Sequence, residues 1–387
     1  NLHEPFLSGN EWNYIKKCLD EGWVSSAGKY VDLFEKKIAK YTRAKYAVAC
    51  TSGTAALQIS LKLAGVGKDS EVIVPSLTFI SPVNAINYNN AKPIFMDNDS
   101  HYTIDVNKTI EFLNNKTRTI LKKKVPITVN KKTGKHIVAL IVVHLFGNAV
   151  KLDTLFNLCR KKNIALIEDA AESIGTFYKS GRYKNRHTGT VGEMGCLSFN
   201  GNKIITTGGG GMILTNNLKI AKKAKYLTTQ AKDDPIYSIH NEVGYNFRLT
   251  NIQSALGLAQ LESLAKYINK KKNIHEKYKN KIKKIKGLSI SNLPYSNGCN
   301  YWLNVLKIKD HLSKSKLSKI IKYLNKNKIK TRPLWYPNHL QKQYKNCQTY
   351  KLNYINKIYQ NRLCLPSSPQ LSKKQLDFIC SKLKNIL

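Results

Sequence analysis

Lys203 lies in the run Ser198-Phe199-Asn200-Gly201-Asn202-Lys203-Ile204-Ile205-Thr206-Thr207, and Gly208 to Gly211 follow it. Small and polar residues surround one amine, and four glycines then let the backbone come close to a bound group. The order is not that of a Gly-Lys-Ser phosphate loop, because the lysine precedes the glycines. Of the 64 basic residues, eight are Arg, so a single lysine means little by itself. Its setting beside three other segments gives it weight. Asp169, in Ile167-Glu168-Asp169-Ala170-Ala171-Glu172-Ser173, ends an apolar run. A carboxylate there suits a pyridinium nitrogen, which it keeps protonated, or it caps the next helix. Thr51-Ser52-Gly53-Thr54-Ala55-Ala56-Leu57 puts glycine and hydroxyls at a helix start, where free N–H groups hold phosphates or a side chain makes an ordinary cap. Pro75-Ser76-Leu77-Thr78-Phe79 again follows an apolar run, and Phe79 either stacks on a planar group or joins the core.

The elements that must position these residues alternate. Candidate strands are 45–50, 71–75, 93–97, 137–144, 164–169, 196–199 and 211–215, with helices at 55–64 and 151–162 between them. Such alternation predicts an α/β fold with a mostly parallel, seven-stranded sheet covered by helices on both faces. Ligands then collect at the carboxyl ends of the strands, where all four segments fall. From about Asn251 the pattern changes to a lysine-rich helix over 261–285, a strand over 301–308 and helices over 312–327 and 372–387. A large domain is expected over 1–250, with residues 1–25 as an N-terminal arm and helix, and a smaller α+β domain over 251–387.

A net charge of +40 raises the question of nucleic acid. Lysine rather than forked arginine supplies nearly all of it. The runs Lys122-Lys123-Lys124 and Lys270-Lys271-Lys272 are short and lack interleaved aromatics. A solvated surface is the expected reading, and a basic nucleic-acid-binding protein is the alternative from another class. A nicotinamide enzyme would need Gly-x-Gly-x-x-Gly after a strand, a spacing that Gly208–Gly211 does not meet. The eight cysteines have no metal-finger or redox spacing, so no metal is expected. No apolar run nears the ~20 residues that span a bilayer. Asn1–Pro5 does not read as a signal peptide, and the expected compartment is the cytoplasm.

In this order, Ser-Gly-Thr-Ala-Ala-Leu, Glu-Asp-Ala-Ala-Glu and Ser-Phe-Asn-Gly-Asn-Lys with its glycines resemble the DegT/StrS family of sugar-nucleotide aminotransferases, over nearly the whole chain. The resemblance implies the type I aminotransferase fold, pyridoxal 5'-phosphate as cofactor (with its pyridoxamine form) and a homodimer with shared active sites. It implies Lys203 as the Schiff-base lysine and Asp169 as partner of the pyridine nitrogen. Gly53, Thr54 and Ser198 would bind the cofactor phosphate, Phe79 would stack on the ring, and Asn251 would reach the phosphate from the partner subunit. Glu172, near the ring hydroxyl, stands where many relatives have Gln; Glu marks branches that make 4-amino sugars. His3-Glu4-Pro5 with Ser8–Glu11, Trp23–Lys29, Asn130–Gly134 and Arg186–Thr190 look like the aminotransferases of legionaminic-acid-type pathways.

The expected reaction moves an amino group from L-glutamate to the 4-keto group of a nucleotide-linked 6-deoxy sugar. The sugar would be a 2-acetamido nonulosonate precursor, or a GDP-perosamine precursor. Arg248 suits a carboxylate or braces the dimer. His144, at a strand end, is a structural residue or a substrate contact. Trp335 and His339 line the nucleotide pocket or pack their loop against the large domain.

Overall fold

A computed structural model describes residues 1–122, 124–294, 298–309 and 313–386. Lys123 of the basic run, and the ends expected at Leu312 and Leu387 for two helices, lie outside the described residues. The strands in chain order are β1 (Tyr46–Cys50), β2 (Ser70–Pro75), β3 (Lys92–Met96), β4 (Thr117–Lys122), β5 (Val125–Asn130), β6 (His136–Val143), β7 (Ala165–Asp169), β8 (Met194–Ser198), β9 (Gly211–Thr215), β10 (Leu288–Ile290), β11 (Asn304–Ile308), β12 (Arg332–Pro333), β13 (Gln348–Tyr350) and β14 (Arg362–Leu365). The helices are α1 (Glu11–Asp20), α2 (Lys29–Thr42), α3 (Gly53–Leu63), α4 (Ile80–Tyr88), α5 (Val106–Asn115), α6 (Asp153–Lys161), α7 (Leu218–Thr228), α8 (Asn251–Ile282), α9 (Lys314–Lys326), α10 (Asn353–Ile358) and α11 (Lys373–Leu383).

The main sheet runs β1-β9-β8-β7-β6-β2-β3-β13, and on this path only β9 opposes its neighbours. The middle is buried on both faces, which explains the unbroken apolar sequence of β6. Its Leu140 and Val142 enter one core cluster and its Ile141 and Val143 the other, as strand alternation requires.

The expected seven strands are corrected to ten among the described residues. β13 adds three residues at one edge, and the hairpin β4–β5 pairs onto β6. Asn130 to Gly134 is the turn that leads out of this hairpin, closed by the Gly134 N–H on Asn130 O (2.8 Å). Asn130 Nδ2 donates to Glu71 and to Gln348, both at 2.7 Å, and so ties β2 to the segment of β13.

The boundary expected at 250/251 falls at the start of α8, which a capping box between Thr250 and Gln253 fixes. That helix begins ten residues earlier than expected and runs through two cores. Leu258, Leu264 and Tyr267 pack with the α1–α2 region and the sheet. Ile274, Tyr278 and Ile282 pack beneath the four-stranded sheet β10-β11-β14-β12. The strand expected from 301 starts at Asn304.

Candidate active site

Three strand ends bring the sequence motifs together. β1 leads into the start of α3, where Ser52 Oγ caps by accepting the Ala55 N–H (3.0 Å). The N–H groups of Gly53 and Thr54 have no acceptor among the described residues. Gly53 abuts Ser198: a Cβ at Gly53 would stand 2.9 Å from the Ser198 Cβ. Gly211 backs the same turn, and a Cβ there would come within 2.3 Å of the Ser52 backbone. Two glycines thus let the α3 N-terminus press against the ends of β8 and β9.

Lys203 projects from a closed loop. Its N–H bonds Asn200 O (2.9 Å), Phe199 N–H bonds Gly210 O (2.8 Å) and Thr207 N–H bonds Phe199 O (2.9 Å). Trp302 Nε1–H donates to Asn202 O (2.9 Å), pinning the residue beside the lysine. The Lys203 amine sits 4.4 Å from the Trp302 ring centroid and 3.6 Å from Glu172 Oε1.

Asp169 and Glu172 are both buried. Asp169 Oδ1 accepts the Ala171 N–H (3.0 Å) and Glu172 Oε2 accepts the Phe146 N–H (2.8 Å). Burial raises the Asp169 carboxyl above its usual range, against the Ala171 amide and Lys203. Burial pushes Glu172 up to about 7; Lys203 and the Phe146 amide oppose the rise, and Asp169 adds to it.

These groups line one cavity of about 530 Å³. It holds Gly53, Thr54, Phe79, Asp169, Glu172, Ser198 and Lys203 from the sequence reading, and Trp335. Phe79 is 52% exposed and meets Trp335 edge-on at 6.0 Å, so its face is not consumed by the core. Thr78 Oγ1, also in the cavity wall, is buried without a partner. A phosphate cradle at the α3 start, a lysine, a buried carboxylate, an exposed aromatic and an orphaned hydroxyl fit a phosphorylated pyridine aldehyde.

Four residues singled out in the sequence lie outside the wall of this chain's cavity, and each has partners within the chain. Asn251 is 1% exposed. Its Nδ2 donates to Trp23 O (2.7 Å) and its Oδ1 accepts the Tyr30 N–H (3.0 Å), so the amide anchors its own chain's loop before α2. Arg248 donates from Nε to Asn246 Oδ1 and from Nη2 to Gln230 Oε1 (both 3.1 Å). His144 is fully buried; Nδ1 accepts the Val150 N–H (3.1 Å), which leaves the proton on Nε2 facing Glu168 (2.9 Å). Burial alone would raise Glu168, but the His144 ring and the amides of Gly192 and Gly189 outweigh it and hold that carboxyl below its usual range. His339 pairs with Ser76 Oγ (2.6 Å).

The sequence reading missed Trp302, Phe146, Lys330 and Arg332. The last two are exposed cations in the cavity wall.

Residues 6–384 match the DegT/DnrJ/EryC1/StrS aminotransferase family. The chain is 33% identical over 378 residues to a Bacillus subtilis protein named as the pyridoxal phosphate-dependent aminotransferase EpsN, covering 97% of this chain and 92% of that one. It is 32% identical over 385 residues to GDP-perosamine synthase of Caulobacter vibrioides, covering 99% and 97%. Among solved structures, a DegT DnrJ EryC1 StrS aminotransferase from Brucella abortus superposes with a TM-score of 0.85 at 26% identity, covering 97% of this chain and 95% of that one.

Proposed function

The chain belongs to the DegT/DnrJ/EryC1/StrS aminotransferase family, whose cofactor is pyridoxal phosphate, and from that premise we propose that it aminates the 4-keto group of a nucleotide-linked 6-deoxy sugar, with L-glutamate as donor. The observation that carries this is the single cavity in which Lys203, Asp169, Glu172 and the α3 N-terminus meet. Similarity to GDP-perosamine synthase supports a keto-sugar acceptor.

Bound pyridoxal phosphate supplies a reactive carbonyl carbon and a pyridine ring that withdraws electrons. The amides of Gly53 and Thr54 and the Ser198 hydroxyl would hold its phosphate. Asp169, as a carboxylate, would hold a proton on the pyridine nitrogen. Lys203 is the amine that would hold the cofactor through its carbonyl carbon, with release of water, and its free form would move protons to and from the donor α-carbon and the sugar carbon. Glu172, poised near neutrality, can take or give a proton within reach of Lys203 Nζ. Phe79, Trp302 and Trp335 supply apolar walls that exclude water. Lys330 and Arg332, at the same cavity, suit the anionic carrier of the sugar.

Two sugars fit this reading. The segments near Ser25 and Asn130 favour a 2-acetamido-4-keto sugar of the legionaminic type. The relatives named GDP-perosamine synthase favour GDP-4-keto-6-deoxymannose. Mass spectrometry of products from both sugars with glutamate decides between them. The sugar that is aminated with the higher kcat/KM is the substrate class, and amination of neither would overturn the proposal.

A homodimer and a cytoplasmic site of action complete the proposal. Trp12, Ile236, Tyr237 and Val243 are 72%, 82%, 78% and 79% exposed, an apolar load that a second copy would cover. Among the described residues no helix is long and apolar enough to cross a membrane.

A further inference from the structure

His3 is a polar side chain in the cavity wall that the chemistry above does not use. It lies on the extended segment before α1. Two hydrogen bonds bracket it: Ser367 N–H donates to Leu2 O (2.7 Å), and Glu4 N–H donates to Ser368 Oγ (2.9 Å). The arm is therefore fastened on both sides of the imidazole and holds it in the same wall as Lys203, Glu172 and Trp302.

Neither Nδ1 nor Nε2 has a hydrogen-bond partner, and both are shielded from solvent. A buried polar group left without a partner is costly to the fold. Buried polar groups in native structures nearly always have a partner, and here the chain supplies none. Burial first, then the charges of Lys271 and Lys203, lowers the His3 pKa well below its usual value. Lys271 is itself buried, with its amine on Ser367 O (2.5 Å). The ring is thus neutral, with one donor and one acceptor. It matches a group that also donates and accepts, such as a sugar hydroxyl or an acetamido group. Half a turn about Cβ–Cγ exchanges each ring nitrogen with a carbon position without moving the arm.

We propose that His3 is a specificity-determining residue that hydrogen-bonds a hydroxyl or amide substituent of the keto-sugar beside Lys203. This rests on the keto-sugar reading above. It separates the two halves of the reaction, because the amino donor carries no such substituent.

The test uses the full-length holoenzyme and two variants, His3→Phe and His3→Asn. The first half-reaction, with L-glutamate, is followed by the absorbance change of the bound cofactor. The second is followed with GDP-4-keto-6-deoxymannose and with a UDP-linked 2-acetamido-4-keto-6-deoxyhexose. His3→Phe should leave the glutamate half-reaction within about twofold of wild type and lower kcat/KM for the sugar by roughly 10–100-fold, mainly through KM. His3→Asn keeps a donor and an acceptor and should recover part of the loss. Wild-type sugar kinetics in His3→Phe overturn the inference. So does equal slowing of both half-reactions, which marks a wall residue only. If wild type converts glutamate yet aminates neither sugar, the keto-sugar reading itself fails and takes this inference with it.

Discussion

Glu172 places Oε1 3.6 Å from the Lys203 amine while its Oε2 is held by the Phe146 amide. The carboxyl is fixed at one end and faces the Lys203 amine at the other. Its pKa of about 7 follows from burial that the lysine only partly offsets.

That shift makes a stability prediction with a definite sign. The folded state binds this proton more tightly than the unfolded chain, so its contribution is full below the ordinary carboxyl range and is lost as pH rises to about 7. Glu172→Gln has no proton to lose. In cofactor-free protein, the urea midpoint of the variant relative to wild type should climb from about pH 4.5 to about pH 7 and then level. A flat difference across that window contradicts the buried, shifted carboxyl.

Asp169→Asn keeps an acceptor for the Ala171 amide but cannot hold a proton on a pyridine nitrogen. The fold should survive, with a melting temperature near wild type, while kcat drops by roughly 10²-fold or more. A kcat within twofold of wild type would remove Asp169 from the chemistry.

Gly211→Ala tests the cradle. The added Cβ would meet Ser52 C and O at 2.3 Å and Gly53 N at 2.6 Å. Backbone must move, and the α3 N-terminus moves with it. Titration with pyridoxal phosphate should show affinity reduced by about tenfold or more. Unchanged affinity would place the phosphate elsewhere.

His144→Phe should cost stability and spare the site. It strips a hydrogen bond from Glu168 and an acceptor from the Val150 amide, both buried, at about 1–3 kcal/mol per orphaned group. Folded variant should keep its sugar KM within about twofold. A KM raised tenfold in a variant of normal stability would restore His144 as a substrate contact.

Several residues singled out in the sequence reach the cavity through local structure alone. Gly53, Asp169, Ser198 and Lys203 each sit at or just after a strand end, so local pattern and topology suffice to send them to one cavity. Trp302 and His3 reach it from distant parts of the chain, through Asn202 O and through Ser367 and Ser368. No spacing rule encodes such meetings. Asn251 and His144 show the converse. Their residue types suggest ligand contacts, but distant partners in the same chain, Trp23, Tyr30 and Glu168, consume them. The hairpin β4–β5 escaped notice because its apolar residues are mixed with lysines on an exposed edge, and β13 because it is three residues long.

The most direct test of the whole account is multiple turnover by Lys203→Ala with pyridoxal phosphate, L-glutamate and the preferred keto-sugar. The variant should fold as wild type does and accumulate no amino sugar beyond one equivalent. Multiple turnover at a rate near wild type would show that the amine at this position is not the catalytic one.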